Sequence, residues 1–386
     1  MTPPLPPVSK IGFVGASRFT LPVVRWILGK GYPVVWIDQN FNALEESLAL
    51  FRTQMAEEER LGERTHVLTG QLTRLLSGST SLLDLLGCDL VIDGTRDHLE
   101  GKIALARSLE QLLGDRVLLG VFLESLTVSH IASRITHPQR LIGLRPVGLP
   151  PRVLQSFEII SGVETAPESV TRMTDFSRML NLEPAIVKEG PGGIVNRLLA
   201  RLFSEVLLLP RQVRGEHDAV DRALSQSGLS LHPFEMMRRL GEYEVSGMIT
   251  FFRRYYGPSF PLSEDLPLSS AITSPVLHHE DADSFIREVT HGGRTIALSD
   301  WADGVFLALT NEAVQIVSEG VSDFNTVDRI TRIAFLGDST TMGLLSRGAQ
   351  RGWPLILSGL WDYSHRTDGR VWPSSTLQLW AASTRN

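Results

Sequence analysis

What most constrains this chain is the alternation that fills its first 160 residues. Short apolar runs, each six to nine residues long, are separated by stretches with helical spacing. The runs read as strands over 10–15, 32–40 ("YPVVWIDQN"), 88–95 ("CDLVIDGT"), 116–123, 140–145 and 156–161. Helices read over 19–30, 41–61, 99–113 and 127–135. Strands alternating with helices imply a parallel, doubly wound sheet. From about residue 166 the apolar spacing becomes helical, as in "PGGIVNRLLARLFSEVLLL", and stays so to the end. Residues 257–282, rich in proline, serine and acids, read as a linker.

The helical part carries an internal repeat. "AVDRAL" (219–224) aligns with "TVDRIT" (326–331) without gaps. The same offset of 107 brings Glu205 onto Glu312, Gly241 onto Gly348 and Tyr256 onto Tyr363. A duplicated helical unit buries against its copy what one copy cannot bury alone. The expected domains are 8–188 (nucleotide-binding), 189–260 (first helical), 261–300 (linker) and 301–386 (second helical).

Composition narrows the function. The net charge of −6 without a basic stripe argues against nucleic acid. No apolar run approaches the roughly 20 residues of a membrane span. A single cysteine, Cys88, excludes an internal disulfide and points to a reducing cytoplasm, and "MTPPLPPVSK" lacks the apolar stretch of a signal peptide. "LHHED" (277–281) reads as solvated linker rather than a metal site, so no metal is expected. "GDST" (337–340) and "FFRRYYG" (251–257) read as parts of the helical units.

"KIGFVGASRFT" (10–20) has the strand–glycine–helix order of a dinucleotide-binding, Rossmann-type loop. Of its three glycines only Gly15 remains, with Ser17 and Thr20 at the others. The Ser17 hydroxyl could bond a phosphate or crowd it. Thr20 is β-branched where close helix packing is wanted. Arg18 is placed to neutralise a phosphate. Asp38, about twenty residues on, suits ribose hydroxyls and NAD over NADP. Retained and lost NAD binding both remain open on these residues.

The motifs together resemble the 3-hydroxyacyl-CoA dehydrogenase family, in its long form with a duplicated C-terminal helical domain. "VIDGTRDHLEGK" is similar to V-x-E-A-x-x-E-x-x-x-x-K, with Asp97 and Lys102 at its acid and lysine. "PGGIVNRLL" resembles P-G-F-I-x-N-R, with Asn196 at the asparagine. "HPQRLIGL" resembles the run before the catalytic histidine, and "FEIISGVETAPE" the strand of its partner glutamate, here Glu158. The resemblance implies a Rossmann-like domain followed by 6-phosphogluconate-dehydrogenase-like helical domains. It also implies NAD, and an acyl-CoA or acyl-carrier-protein thioester as substrate. Single-copy members dimerise through the helical domain, and an internal copy could cover that surface, so a monomer or homodimer is expected.

The departures fall on the chemistry. "GLRPVGLP" puts Arg145 at the catalytic histidine and Gly148 at the asparagine that follows. "FLESL" puts Phe122 and Glu124 at an asparagine and at the serine that contacts the substrate, while Ser125 remains. In the family that serine and histidine both face the substrate's 3-oxygen. Arginine stays protonated and cannot serve as the base, so oxidation through position 145 is expected to be lost or very slow. The opposite charges suggest a pair between Arg145 and Glu124, with Glu158 as a second acceptor. Three outcomes are open: a dead pocket filled by an ion pair, a non-redox pair in which Arg145 stabilises an oxyanion while Glu124 or Glu158 acts as base, or a dehydrogenase using another base.

Overall fold

The computed structural model describes residues 8–96, 98–124, 126–148, 154–209, 216–261, 288–291, 294–336 and 342–384. Asp97, Ser125, "LHHED", "GDST" and most of the expected linker lie outside them. The chain divides into two compact units, Met1–Glu189 and Gly190–Asn386.

The first unit is a sheet of eight strands. These are β1 (Ile11–Val14), β2 (Val34–Ile37), β3 (Leu76–Ser79), β4 (Leu90–Asp93), β5 (Leu118–Phe122), β6 (Leu141–Val147), β7 (Ser156–Ser161) and β8 (Glu183–Lys188). Their order is β3-β2-β1-β4-β5-β6-β7-β8. Every neighbouring pair is parallel except β6 and β7, which run antiparallel. Strands β1, β2 and β4 are buried along their whole length. That is why they read as continuous apolar runs rather than alternating ones. Six helices accompany them: α1 (Leu21–Gly29), α2 (Phe41–Arg60), α3 (His66–Leu75), α4 (Leu99–Leu112), α5 (Val128–Ala132) and α6 (Pro167–Met179). Helix α2 begins where the Asn40 side chain accepts the amides of Asn42 and Ala43. It buries only Leu44, Ser47, Phe51 and Met55, one stripe at helical spacing.

The fold bears out the doubly wound reading and corrects its far edge. Residues 183–188 are not helical but form β8, paired in parallel with β7. This edge strand alternates in burial, with Ala185 and Val187 inward and Ile186 exposed. Its Pro184 stands in the edge strand of the described sheet, where proline is found. Strand β3, "LSGS", lacks an apolar run altogether and is held through backbone pairing with β2.

The second unit is helical: α7 (Val195–Leu207), α8 (His217–Gln226), α9 (Pro233–Leu240), α10 (Glu242–Tyr256), α11 (Leu298–Ser318), α12 (Phe324–Thr331), α13 (Leu344–Arg351), α14 (Trp353–Arg366) and α15 (Ser375–Ser383). A two-stranded antiparallel hairpin, Glu288–His291 with Arg294–Ala297, precedes α11 and lies within the expected linker. Phe251, Phe252, Tyr255, Tyr256 and Phe260 pack ring against ring, edge-on, tilted and stacked, within the helical unit. No helix among the described residues is long and apolar enough to cross a membrane.

Candidate functional site

The strand order changes direction at β1 and β4, and the loops leaving their carboxyl ends define the crevice where doubly wound sheets take ligands. Gly15 follows β1 with φ +98°, and a Cβ there would lie 2.8 Å from the Thr95 amide nitrogen. Only glycine fits both the backbone conformation and the approach. The Gly15 carbonyl accepts from the Thr20 hydroxyl at 2.9 Å and from the buried Trp36 indole at 3.2 Å. Ser17 is turned into its own loop, where its Oγ accepts the amides of Phe19 and Thr20, both at 3.3 Å. Arg18 is exposed, its guanidinium 4.8 Å from the centre of the Phe19 ring. Asp38 stands at the end of β2, with one carboxylate oxygen on the Ala16 amide at 2.8 Å and the other on Asn40 at 2.9 Å.

Thr20 is accommodated by a size exchange that the loop sequence alone does not reveal. Its side chain is almost fully buried. A Cβ placed on Gly94, after β4, would lie 2.7 Å from the Thr20 γ-methyl and 2.5 Å from the Phe13 ring. Glycine at 94, where the resembled motif has alanine, leaves the room that threonine at 20 takes up. The signal was in the sequence, but 74 positions away from the loop it serves.

Lys102, the lysine of the resembled motif, is tied to the end of β4 and the loop after it. Its side chain is wholly buried, with Nζ 3.4 Å from Asp93 and 3.0 Å from the Thr95 carbonyl. The other Asp93 oxygen accepts the Thr95 amide and hydroxyl at 2.8 and 2.6 Å. Such a buried ammonium needs an anionic partner, so Lys102 pins the loop after β4 and positions it.

Arg145 and Glu158 stand directly opposite each other across the antiparallel β6–β7 pair. Arg145 Nη1 donates to Glu158 Oε2 at 2.5 Å, and the two side chains are 6% and 0% exposed. The expected Arg145–Glu124 pair is therefore corrected: register makes Glu158 the partner, because directly opposed residues share one face of a sheet. Glu124 lies beyond the end of β5 and is exposed. The guanidinium is only partly used, since Arg145 Nε is buried without a hydrogen-bond partner.

In the second unit, Asn196 is the one residue of α7 that is not fully buried. Its neighbours form an ionic core absent from the sequence reading. Arg197 donates to Glu312 at 2.6 Å, to Gln315 at 3.0 Å, and to Glu319 at 2.6 and 2.8 Å, with Tyr256 stacked 4.2 Å away. Arg201 bonds Glu312 at 3.2 and 3.1 Å. Glu205 accepts from Arg370 at 2.5 and 3.0 Å and from the Tyr363 hydroxyl at 2.7 Å. Burial alone would raise the Glu205 pKa, but Arg370 outweighs it and holds the group at about 2. Tyr256 packs on Arg197, and Tyr363 packs where a Cβ of Gly304 would lie 2.2 Å from its ring. Both members of each comparison are 107 residues apart.

Residues 10–190 match the family described as 3-hydroxyacyl-CoA dehydrogenase, NAD binding domain. The 3-hydroxyadipyl-CoA dehydrogenase of Escherichia coli is 24% identical over 61% of this chain, a stretch that takes in 50% of that relative. The 3-hydroxybutyryl-CoA dehydrogenase of Clostridioides difficile is 23% identical over 56% of this chain and 76% of its own length. Among solved structures, a 3-hydroxybutyryl-CoA dehydrogenase from Escherichia coli superposes with a TM-score of 0.81 at 19% identity, covering 98% of this chain and all of that one. The dehydrogenase part of a Caenorhabditis elegans multifunctional enzyme covers 97% and 90%, with a TM-score of 0.61. At these identities the superpositions establish the fold.

Proposed function

We propose, from the premise that this chain belongs through residues 10–190 to the 3-hydroxyacyl-CoA dehydrogenase NAD-binding family, that it binds a 3-hydroxy- or 3-oxoacyl thioester of CoA or of an acyl carrier protein without oxidising it by an imidazole route. The observation that carries this reading is the buried Arg145–Glu158 pair. A guanidinium donates in every protonation state found in proteins and accepts nothing. Its neighbour Glu158 has its charge committed to it. Neither group is therefore free to take the proton of a 3-hydroxyl.

The loop residues fit NAD. The turn at Gly15 supports a phosphate approach, Arg18 is exposed beside it, and each Asp38 oxygen keeps a second lone pair for a ribose hydroxyl. Gly15, Ser17, Arg18 and Asp38 would hold the cofactor, with Lys102 positioning the adjoining loop. When bound, NAD supplies a hydride acceptor. The chain's own residues orient and polarise the substrate oxygen through Arg145.

The exposed carboxylate of Glu124 favours a second reading, non-redox chemistry such as a dehydratase, lyase or cyclase with Glu124 as base. Titration of the full chain with NADH and acetoacetyl-CoA, followed by turnover of 3-hydroxybutyryl-CoA with NAD, separates these. Thioester binding is expected with turnover roughly 10²- to 10⁴-fold below that of Arg145→His, the range general acid–base help supplies. Rapid oxidation by the unaltered chain would overturn the proposal. Conversion of the thioester without NAD, lost in Glu124→Gln, would establish the second reading.

A further inference from the structure

The loop after β1 satisfies its own donors. The Gly15 amide meets the Ile37 carbonyl at 2.8 Å, and the Ala16 amide meets Asp38 at 2.8 Å. The Ser17 amide donates to Thr20 Oγ1 at 3.1 Å. The amides of Phe19 and Thr20 both donate to Ser17 Oγ at 3.3 Å, and the Leu21 amide reaches the Ser17 carbonyl at 3.0 Å. From Gly15 to Leu21, the Arg18 amide alone has no hydrogen-bond partner among the described residues. The two hydroxyls close the network. Ser17 Oγ lies 3.2 Å from Thr20 Oγ1, which donates to the Gly15 carbonyl at 2.9 Å.

A loop with glycine at all three places presents such amides, at the head of the following helix, to a pyrophosphate. Glycine carries no side-chain oxygen to compete for them. Ser17 does carry one, and it sits on two of them. We infer that the Ser17 hydroxyl stands in for a phosphate oxygen in the free chain, and that NAD binds only by displacing it from the amides of Phe19 and Thr20. This rests on the reading that the Gly15 loop and Asp38 take NAD. The exchange favours the ligand, because bonds from an amide to a charged phosphate oxygen are about twice as strong as neutral ones. The gain is smaller than at donors that only water held, since the protein gives up two bonds of its own. Ser17 is the one to leave. It is half-buried and shares one oxygen between two long bonds, whereas Thr20 is almost fully buried and anchors the Gly15 carbonyl. Ser17 can serve the cofactor only after its hydroxyl has let go, so it sets how tightly NAD is held.

The test is fluorescence titration of the full chain and of Ser17→Ala with NADH, with ADP-ribose and adenosine measured by competition. Alanine keeps the Cβ and removes only the oxygen. NADH and ADP-ribose, which carry the pyrophosphate, are expected to bind Ser17→Ala about 3- to 10-fold more tightly, the net worth of one hydrogen bond. Adenosine, which has no phosphate, should bind both chains alike. In the unaltered chain the amide proton resonances of Phe19 and Thr20 should move downfield on saturation with NADH, as charge-assisted bonds replace neutral ones. Unchanged or weaker binding of NADH by Ser17→Ala, or an equal gain for adenosine, overturns the inference and leaves NAD binding standing. Failure of both chains to bind NADH sinks the underlying reading together with it. Should Ser17→Ala not fold, the two resonances of the unaltered chain still decide: if they stay in place at saturation, the hydroxyl was never displaced and the inference falls.

Discussion

Two buried arginines, one in each unit, show how differently the same side chain is used. Arg197 is completely enclosed and makes four hydrogen bonds, three of them to the carboxylates of Glu312 and Glu319. Arg145 is nearly as deeply enclosed, yet it has one bond, to one carboxylate, and an unpaired Nε. A saturated cation has nothing left to offer a ligand and works as structure. An under-used one retains donors whose desolvation has already been met by the fold. Burial alone therefore does not separate a structural ion pair from a binding group. The two arginines differ in how many of their donors are met.

The sharpest way to break this comparison is to remove an anion from the saturated cluster. Glu312→Ala leaves Arg197 and Arg201 buried beside too little charge, and the second unit should lose ~3–5 kcal/mol, the usual result of stranding a buried ion. Chemical denaturation followed through tryptophan fluorescence measures this. A loss below that from disrupting Arg145 would contradict the ranking.

Acid probes the same cluster. Arg370 holds the Glu205 pKa at about 2 against an ordinary value of 4.5. Because the folded form binds this proton less readily than the unfolded chain, Glu205 contributes stability above the ordinary value, and that contribution is lost as pH falls from about 4.5 toward 2. About 3 kcal/mol is at stake. Arg370→Ala should move the loss to higher pH, and a denaturation series across pH 2–6 checks both the sign and the shift.

Arg145→Gln/Glu158→Gln, which removes the pair without stranding a buried charge, should cost less, ~1.5–3 kcal/mol, the range for one hydrogen bond to a charged group. Melting experiments on this variant beside Glu312→Ala compare the two regions directly. The smallest effect is expected at the phosphate loop. Gly94→Ala should destabilise by ~1–3 kcal/mol through overpacking against Thr20 and Phe13. Thr20→Gly in the same chain should recover the part due to the threonine methyl. Failure of the second change to recover any stability would show that the size exchange is not the reason for the pair.

Much of the first unit was legible because its signals are local. A buried parallel strand advertises itself as an apolar run, as "IGFV" and "VVWI" do. Gly15 was legible because the turn after β1 demands a positive φ. Strand β8 was not, because a half-exposed edge strand buries only alternate residues and here follows a helix. Lys102 stands in a motif whose spacing alone does not say what its ammonium meets. Its partners in the structure, Asp93 at the end of β4 and Thr95 just beyond it, lie nine and seven residues away within that motif.

By itself the sequence determined that a glycine turn follows the first strand, that a doubly wound sheet forms, and that a permanent cation stands at 145. Each of these follows from the chemistry of a residue and its near neighbours. Only the tertiary structure decided that Glu158 and not Glu124 neutralises that cation, that Gly94 makes room for Thr20, and that Arg197 is saturated while Arg145 is not. Those outcomes depend on register between strands and on packing between segments distant in the chain. Small differences in distance there decide which charge is met and which donor is left open.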